Sequence, residues 1–199
     1  MSHYFSNDAS VVSRQREITY VMNNVKFSLS SDNGVFSKNE LDEGSRLLIE
    51  TLLPLELGES LLDLGCGIGP IGLTLSYFHP RLKLTCSDVN LRALALCEHN
   101  AQTLNLSHKV TCLQSDIYLE IEGTFHSIVS NPPIRAGKKV TYAIYEGALE
   151  HLEQGGSLYV VVRKQQGAPT VMKKLEEVFG NVTLLARHKS YYVLKATKN

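Results

Sequence analysis

The sequence predicts an α/β fold: a seven-stranded, mostly parallel sheet with helices on both faces and an antiparallel last strand. Three observations predict it. From about residue 60 onward, short apolar runs alternate with longer amphipathic ones, the pattern of strands joined by crossover helices. The polar segment RHKS at 187–190 links two closing apolar runs and is too short for a parallel crossover, so the final pair must be antiparallel. No repeat or Pro/Gly/Ser-rich linker divides the 199 residues, of which 43% are hydrophobic, so one packed domain is expected.

In chain order, residues 17–30 read as two short strands around the turn VMNNV. Residues 42–53 read as a helix with Leu47, Leu48 and Leu52 toward the core. Residues 1–55 are thus expected to form an extension packed on the sheet, too short to be a domain alone. Strands follow at 60–64, 83–88, 110–114, 127–130 and 157–162, with helices at 69–78, 91–105 and 142–152. In the segment 91–105, Leu91, Leu94, Ala101 and Leu104 recur at helical spacing behind a capping Asn90. A last helix starts near Pro169 with Met172, Leu175 and Phe179 on its apolar side, and strands at 182–186 and 191–196 close the chain.

Twenty basic and twenty acidic side chains cancel, so no global field marks a nucleic-acid or membrane binder, although a local basic patch is compatible with neutrality. The first residues lack an apolar signal region, and no run approaches the roughly 18 apolar residues of a membrane span. A cytoplasmic protein is expected. Cys66, Cys86, Cys97 and Cys112 sit in apolar segments without CxxC spacing, and the seven histidines are scattered. Buried reduced thiols and no metal site are expected.

The segment LLDLGCGIG at 61–69 places Gly65, Gly67 and Gly69 where a buried strand turns into a helix. Glycine there permits positive φ and close approach of a ligand to the backbone. Gly67, Gly69 and Gly72 also satisfy the G-x-G-x-x-G pattern of dinucleotide-binding folds. That register buries Asp63 inside the strand, where a carboxylate is expensive. The register from Gly65 leaves Asp63 at the strand's carboxyl end, suited to an ammonium group and repelling a pyrophosphate. Cys66 belongs to the same loop. Asp88, 23 residues after Gly65 and followed by Val89, stands where an acidic side chain accepts hydrogen bonds from a ribose, which NAD and S-adenosylmethionine both carry. Asp116 and Ile117 after the third strand suit an adenine amino group and ring.

Ser130-Asn131-Pro132-Pro133 ends the fourth strand, at the sheet edge where open parallel sheets bind ligands. The prolines restrict Asn131 to extended backbone, so its amide oxygen and the Pro132 carbonyl form two acceptors aimed at one spot. A conjugated amino nitrogen is a poor nucleophile, and two acceptors on its hydrogens can turn its lone pair toward a methylsulfonium. No covalent intermediate or metal is then required.

With these residues in place, the chain resembles the class I S-adenosylmethionine-dependent methyltransferases with a "methyltransferase small" domain, a Rossmann-like fold. It is most similar to the bacterial 16S ribosomal RNA guanine-N2 methyltransferases of the small-subunit methyltransferase C type. The resemblance runs through GVFSKNELDEGSRLL, LLDLGCGIGPIG, SDVN and SNPPIRAGKK to EHLEQGGSLYVV and KSYYVLKA. It implies S-adenosylmethionine bound by Gly65, Gly67, Asp88 and Asp116, with Asn131 anchoring the reacting amino group. It also implies ribosomal RNA or the small ribosomal subunit as partner. Two features depart from the family: Ile134 stands where many relatives stack an aromatic ring on the base, and the fuller ribosomal enzymes carry two methyltransferase-like domains. Phe36 is a substitute stacking candidate. Arg135, Lys138 and Lys139 can meet phosphates flanking an extruded base. A protein glutamine acceptor, a nicotinamide-dependent oxidoreductase and a non-catalytic binding module are the competing readings.

Overall fold

The computed structural model describes residues 14–33, 35, 40–132, 137–164 and 167–199. The chain begins with an antiparallel hairpin of β1 (Arg16–Met22) and β2 (Val25–Ser31). Asn23 and Asn24 both take positive φ, as a two-residue primed turn requires and as asparagine tolerates. Period-two alternation buries Ile18, Tyr20, Met22, Phe27 and Leu29 against the helices α2 (Pro70–Phe78) and α3 (Leu91–Thr103). The Tyr20 hydroxyl lies 2.8 Å from Thr74 Oγ1. The buried Asn100 side chain accepts from the Ser30 amide and donates to the Ser30 and Ile68 carbonyls. One asparagine thereby ties the hairpin to the loop that begins α2.

The seven-stranded sheet has the order β5-β4-β3-β6-β7-β9-β8. Its strands are β3 (Ser60–Leu64), β4 (Lys83–Asp88), β5 (Val110–Gln114), β6 (Phe125–Ser130), β7 (Leu152–Arg163), β8 (Thr183–His188) and β9 (Tyr191–Thr197). All pairings from β5 through β7 are parallel, and β9 runs antiparallel to both β7 and β8. The expected fold class is therefore present. Alternate residues of each strand face two apolar layers. On one side Leu61, Val129, Tyr159, Val161 and Val193 meet α2, α3 and the helix α1 (Glu43–Leu52). On the other, Leu62, Ile128, Leu158, Val160 and Leu194 meet α4 (Gly137–His151) and α5 (Ala168–Phe179).

Several elements differ from expectation. Helix α4 starts at Gly137, five residues before the predicted start, because its first turns offer only Val140 to an apolar face. Strand β7 begins at Leu152 and draws in the loop-like sequence EQGG, held by pairing of Leu152 with Phe125. Leu91 is 52% exposed rather than part of the buried stripe of α3. On α1 the buried face runs through Leu48, Ile49 and Leu52, and Leu47 is only half-buried. No helix among the described residues is long and apolar enough to cross a membrane.

The sheet order reverses between β3 and β6: the chain builds outward to β5 and then returns to the other side of β3. Such a switch point leaves a crevice at the carboxyl ends of the strands. The glycine loop follows β3 and Asn131 follows β6, so both sequence motifs open into that crevice.

Candidate active site

The two motifs are joined directly: the Ser130 hydroxyl donates to the Leu64 carbonyl at 2.8 Å. Gly65 and Gly67 have φ of 73° and 56°, and a Cβ added at either would meet nothing within 4 Å. Both face open space large enough for a ligand to lie against the backbone. The loop's own amides are used internally. The amides of Gly65 and Cys66 both donate to the Ser87 carbonyl, that of Gly69 to the Cys66 carbonyl, and that of Gly67 to Asp88 Oδ2 at 2.8 Å.

Asp63 is the penultimate residue of β3, at the strand's carboxyl end as expected, and it is 1% exposed. Its burial therefore does not choose between the two glycine registers. The geometry does. Asp63 Oδ2 accepts from the Gly72 amide at 2.8 Å, so the first turn of α2 already holds a carboxyl group where a dinucleotide-binding loop would present amides to a pyrophosphate. Gly72 serves packing, since a Cβ there would sit 2.9 Å from Asp63 Oδ2 and from Leu84. Burial pushes the Asp63 carboxyl up to about 7, against the lowering effect of the Gly72 hydrogen bond. Its Oδ1 is buried without a hydrogen-bond partner. An orphaned carboxylate oxygen in this position fits a cationic ligand group.

Asp88 sits at the end of β4, half-buried, with Oδ2 accepting from Gly67 and Oδ1 from the Asn90 amide at 2.9 Å. Burial raises its carboxyl above the ordinary range, and the Asn90 and Gly67 amides pull it back. Each oxygen keeps a second lone pair, so the clamp orients the carboxylate without exhausting it. Val89 beside it is 36% exposed, an apolar wall at the same edge. The Ser115 amide donates to the Asp88 carbonyl, which brings the loop after β5 alongside. There Asp116 is exposed and Ile117 is half-buried with φ of 55°. A β-branched residue in the left-handed region costs on the order of 1–3 kcal/mol and persists where its surroundings over-determine it. Here Ser115 donates to the Ile117 carbonyl at 2.9 Å.

Asn131 is half-buried, and its Nδ2 donates to Asp42 Oδ2 at 2.8 Å and to Ser45 Oγ at 3.0 Å. Its Oδ1 makes no hydrogen bond among the described residues. Asp42 caps α1, accepting from the Ser45 amide at 2.9 Å. In the sequence Asp42 stands out only as the start of a helix, and nothing singles out Ser45. A capping residue was legible there, but no spacing rule links it to an asparagine 89 positions later.

Lys138 and Lys139 lie exposed on the first turn of α4, adjacent to this edge. Phe36, Pro133, Ile134 and Arg135 fall outside the described residues, and Pro132 is half-buried. The thiols of Cys66, Cys86 and Cys97 converge to within 4.8 Å of one another beneath the glycine loop, all buried. Sequence spacing gave no sign of this cluster, because β3–α2, β4 and α3 each contribute one member. Hydrogen bonding with Cys112, Cys66 and Cys97, together with burial, holds the Cys86 thiol well above its ordinary range, whereas hydrogen bonds from Cys86 and Cys97 pull the Cys66 thiol down.

Comparison with known proteins agrees with this geometry. The family model "Methyltransferase small domain" matches residues 26–195. The chain is 44% identical over 98% of both chains to "Uncharacterized protein YbxB" of Bacillus subtilis. It is 36% identical to "Ribosomal RNA small subunit methyltransferase C" of Erwinia tasmaniensis over 83% of this chain and 48% of that one. Among solved structures, the T. thermophilus 16S rRNA N2 G1207 methyltransferase, in complex with AdoMet and guanosine, superposes with a TM-score of 0.83. The match has 26% identity and covers 93% of this chain and 51% of that one. The chain thus spans about half the length of the small-subunit methyltransferase C relatives it matches. A Rossmann-like sheet with a reversed last strand, an open glycine loop between two clamped aspartates and a family match over most of its length lead to one conclusion: the chain belongs to the methyltransferase small domain family of S-adenosylmethionine-dependent methyltransferases.

Proposed function

We propose that this protein transfers a methyl group from S-adenosylmethionine to the exocyclic N2 amino group of a guanine in 16S ribosomal RNA. The observation that carries the reading is the Asn131 side chain, whose amino end is tied to Asp42 and Ser45 beside the glycine loop. Its oxygen is left as an acceptor in the crevice, as recognition of an amino group requires.

The cofactor supplies an electrophilic methyl group on a sulfonium. Asp63 would meet its ammonium group, Asp88 its ribose, and Asp116 with Ile117 and Val89 its adenine, while Gly65 and Gly67 leave room along the backbone of a loop that Cys66 and Gly69 complete. Asn131 Oδ1 and the Pro132 carbonyl would accept the two hydrogens of the guanine amino group. Held this way, the nitrogen would turn its lone pair toward the methyl carbon, so that the N–C bond could form as the C–S bond breaks, S-adenosylhomocysteine departs as a neutral thioether and one amino proton passes from the nitrogen to water. Positioning of two reactants is worth about 7–11 kcal/mol in favourable cases, so no nucleophilic side chain is needed. Methyl transfer of this kind needs no metal.

Pro133 and Ile134 would line the base site, with Phe36 as the candidate stacking ring, and Arg135, Lys138 and Lys139 would meet flanking phosphates. The RNA assignment is supported by the small-subunit methyltransferase C relatives. A deletion strain tests it. Mass-spectrometric mapping of 16S ribosomal RNA should show one N2-methylguanosine lost, restored by the wild-type gene and not by Asn131→Ala. An unchanged modification map would defeat the assignment.

A further inference from the structure

We propose that Asp42, acting with Ser45 through Asn131, is a positioning residue for methyl transfer, and that it fixes which end of the Asn131 amide meets the substrate. The inference rests on the reading of Asn131 as the group that receives the substrate amino nitrogen.

An asparagine side chain is ambiguous: it can present a carbonyl oxygen or an amino group, with nearly the same shape. Only the oxygen can accept a hydrogen from a substrate amino group. Asp42 removes the ambiguity, because a carboxylate accepts and does not donate. With Asp42 Oδ2 at 2.8 Å and Ser45 Oγ at 3.0 Å, both hydrogens of Asn131 Nδ2 have an acceptor. The reversed amide would set two acceptors against each other at the same distance. Asp42 therefore specifies Oδ1 outward, and its negative charge polarises the amide so that this oxygen becomes a stronger acceptor.

Asp42 is in turn held from two sides. Its Oδ2 takes the Ser45 amide as the cap of α1. Its Oδ1 lies 3.5 Å from the Tyr191 hydroxyl, which accepts from Arg163 Nε at 2.7 Å. The Arg163 guanidinium also lies over the Tyr191 ring, 4.8 Å from its centroid. Gly44 leaves the space for this arrangement, since a Cβ there would sit 2.9 Å from the Tyr191 ring and 3.0 Å from Asp42 Oδ2. Asn131 thus receives its orientation from an element that precedes the nucleotide-binding half of the sheet and from the start of its last strand.

The decisive variant is Asp42→Ser, because serine keeps a side-chain oxygen for the helix cap but removes the carboxylate from Asn131. Ser45→Ala is the second variant, leaving the cap acceptor in place. In nitrogen-15 spectra the Asn131 side-chain pair, assigned by its disappearance in Asn131→Ala, should shift and exchange faster with water in both variants. On small ribosomal subunits, Asp42→Ser should lower kcat about 100-fold, with KM for the subunit and cofactor affinity within about twofold of wild type. Wild-type kcat in Asp42→Ser, or unaltered Asn131 amide signals in both variants, would overturn the proposal. If the wild-type protein methylates no RNA, the functional reading fails, and the amide spectra still decide the role of Asp42.

Discussion

The two halves of the crevice are built in different ways. The half proposed to hold the cofactor is assembled from short segments at the ends of successive strands: Gly65–Gly69 after β3, Asp88 at the end of β4 with Val89 following it, Asp116 and Ile117 after β5. Its hydrogen bonds join neighbouring strand ends, such as the Gly67 amide with Asp88 and the Ser115 amide with the Asp88 carbonyl. The acceptor half joins Asn131 after β6 to Asp42 and Ser45 on α1, 89 and 86 positions away. A site whose parts come from consecutive βα units carries its signature in local spacing. A site built by docking one element onto another does not.

If the halves are separable in chemistry as they are in construction, substitutions should divide their effects. The largest effect is expected from Asn131→Ala, which removes a preorganised acceptor. Steady-state methyl transfer should fall in kcat by about 10²–10³-fold, while titration calorimetry finds cofactor affinity unchanged. A parallel loss of cofactor affinity would merge the halves. Next comes Gly67→Ala. Its φ of 56° disfavours an L residue by about 1–2 kcal/mol, and the new methyl enters the open cradle. Cofactor affinity should weaken by tenfold or more, with the Asn131 amide signals in place.

Smaller still is the pH effect centred on Asp63. Its carboxyl is raised to about 7 by burial, so the folded apoprotein holds a proton that the unfolded chain releases near the ordinary carboxylate range. Apoprotein stability from this group is full at low pH and is lost as pH rises toward and through about 7. A cationic ligand group prefers the ionised carboxylate, so cofactor affinity should rise about tenfold between pH 6 and pH 8. Asp63→Asn should flatten that profile, and an unchanged slope in the variant would remove Asp63 from ligand binding. The smallest effect is expected from Lys138→Ala and Lys139→Ala. Each should reduce the salt dependence of RNA binding by about one unit of slope, with kcat for bound subunits retained.

The same division explains what could be read from the chain alone. The alternation of apolar runs located every strand of the main sheet, because buried parallel strands are short, continuous and bounded by turns. The reversal of β9 followed from a turn too short for anything else. Glycine spacing located the loop after β3, and the strand ends at Leu64, before Gly65, as the register from Gly65 expects. Asp63 is nonetheless buried there, so the cost of burying a carboxylate does not separate the registers, whereas its hold on the first turn of α2 does. Helix α4 was begun late because GKKV carries its structure in solvent-facing residues. The partners of Asn131 were invisible because a capping aspartate and a catalytic-loop asparagine each look complete in their own neighbourhood. The convergence of Cys66, Cys86 and Cys97 was hidden for the same reason.

If an asparagine held by its amino end directs methyl transfer to a guanine amino group, as proposed, the label it delivers must depend on Asn131. The most direct measurement incubates the purified wild-type protein and Asn131→Ala with small ribosomal subunits and methyl-labelled S-adenosylmethionine, then locates the label by nuclease digestion and mass spectrometry. Label is expected on guanine N2 at a single position with the wild-type protein, and at background level with the variant. Label on another atom, or equal label from Asn131→Ala, would contradict the proposal.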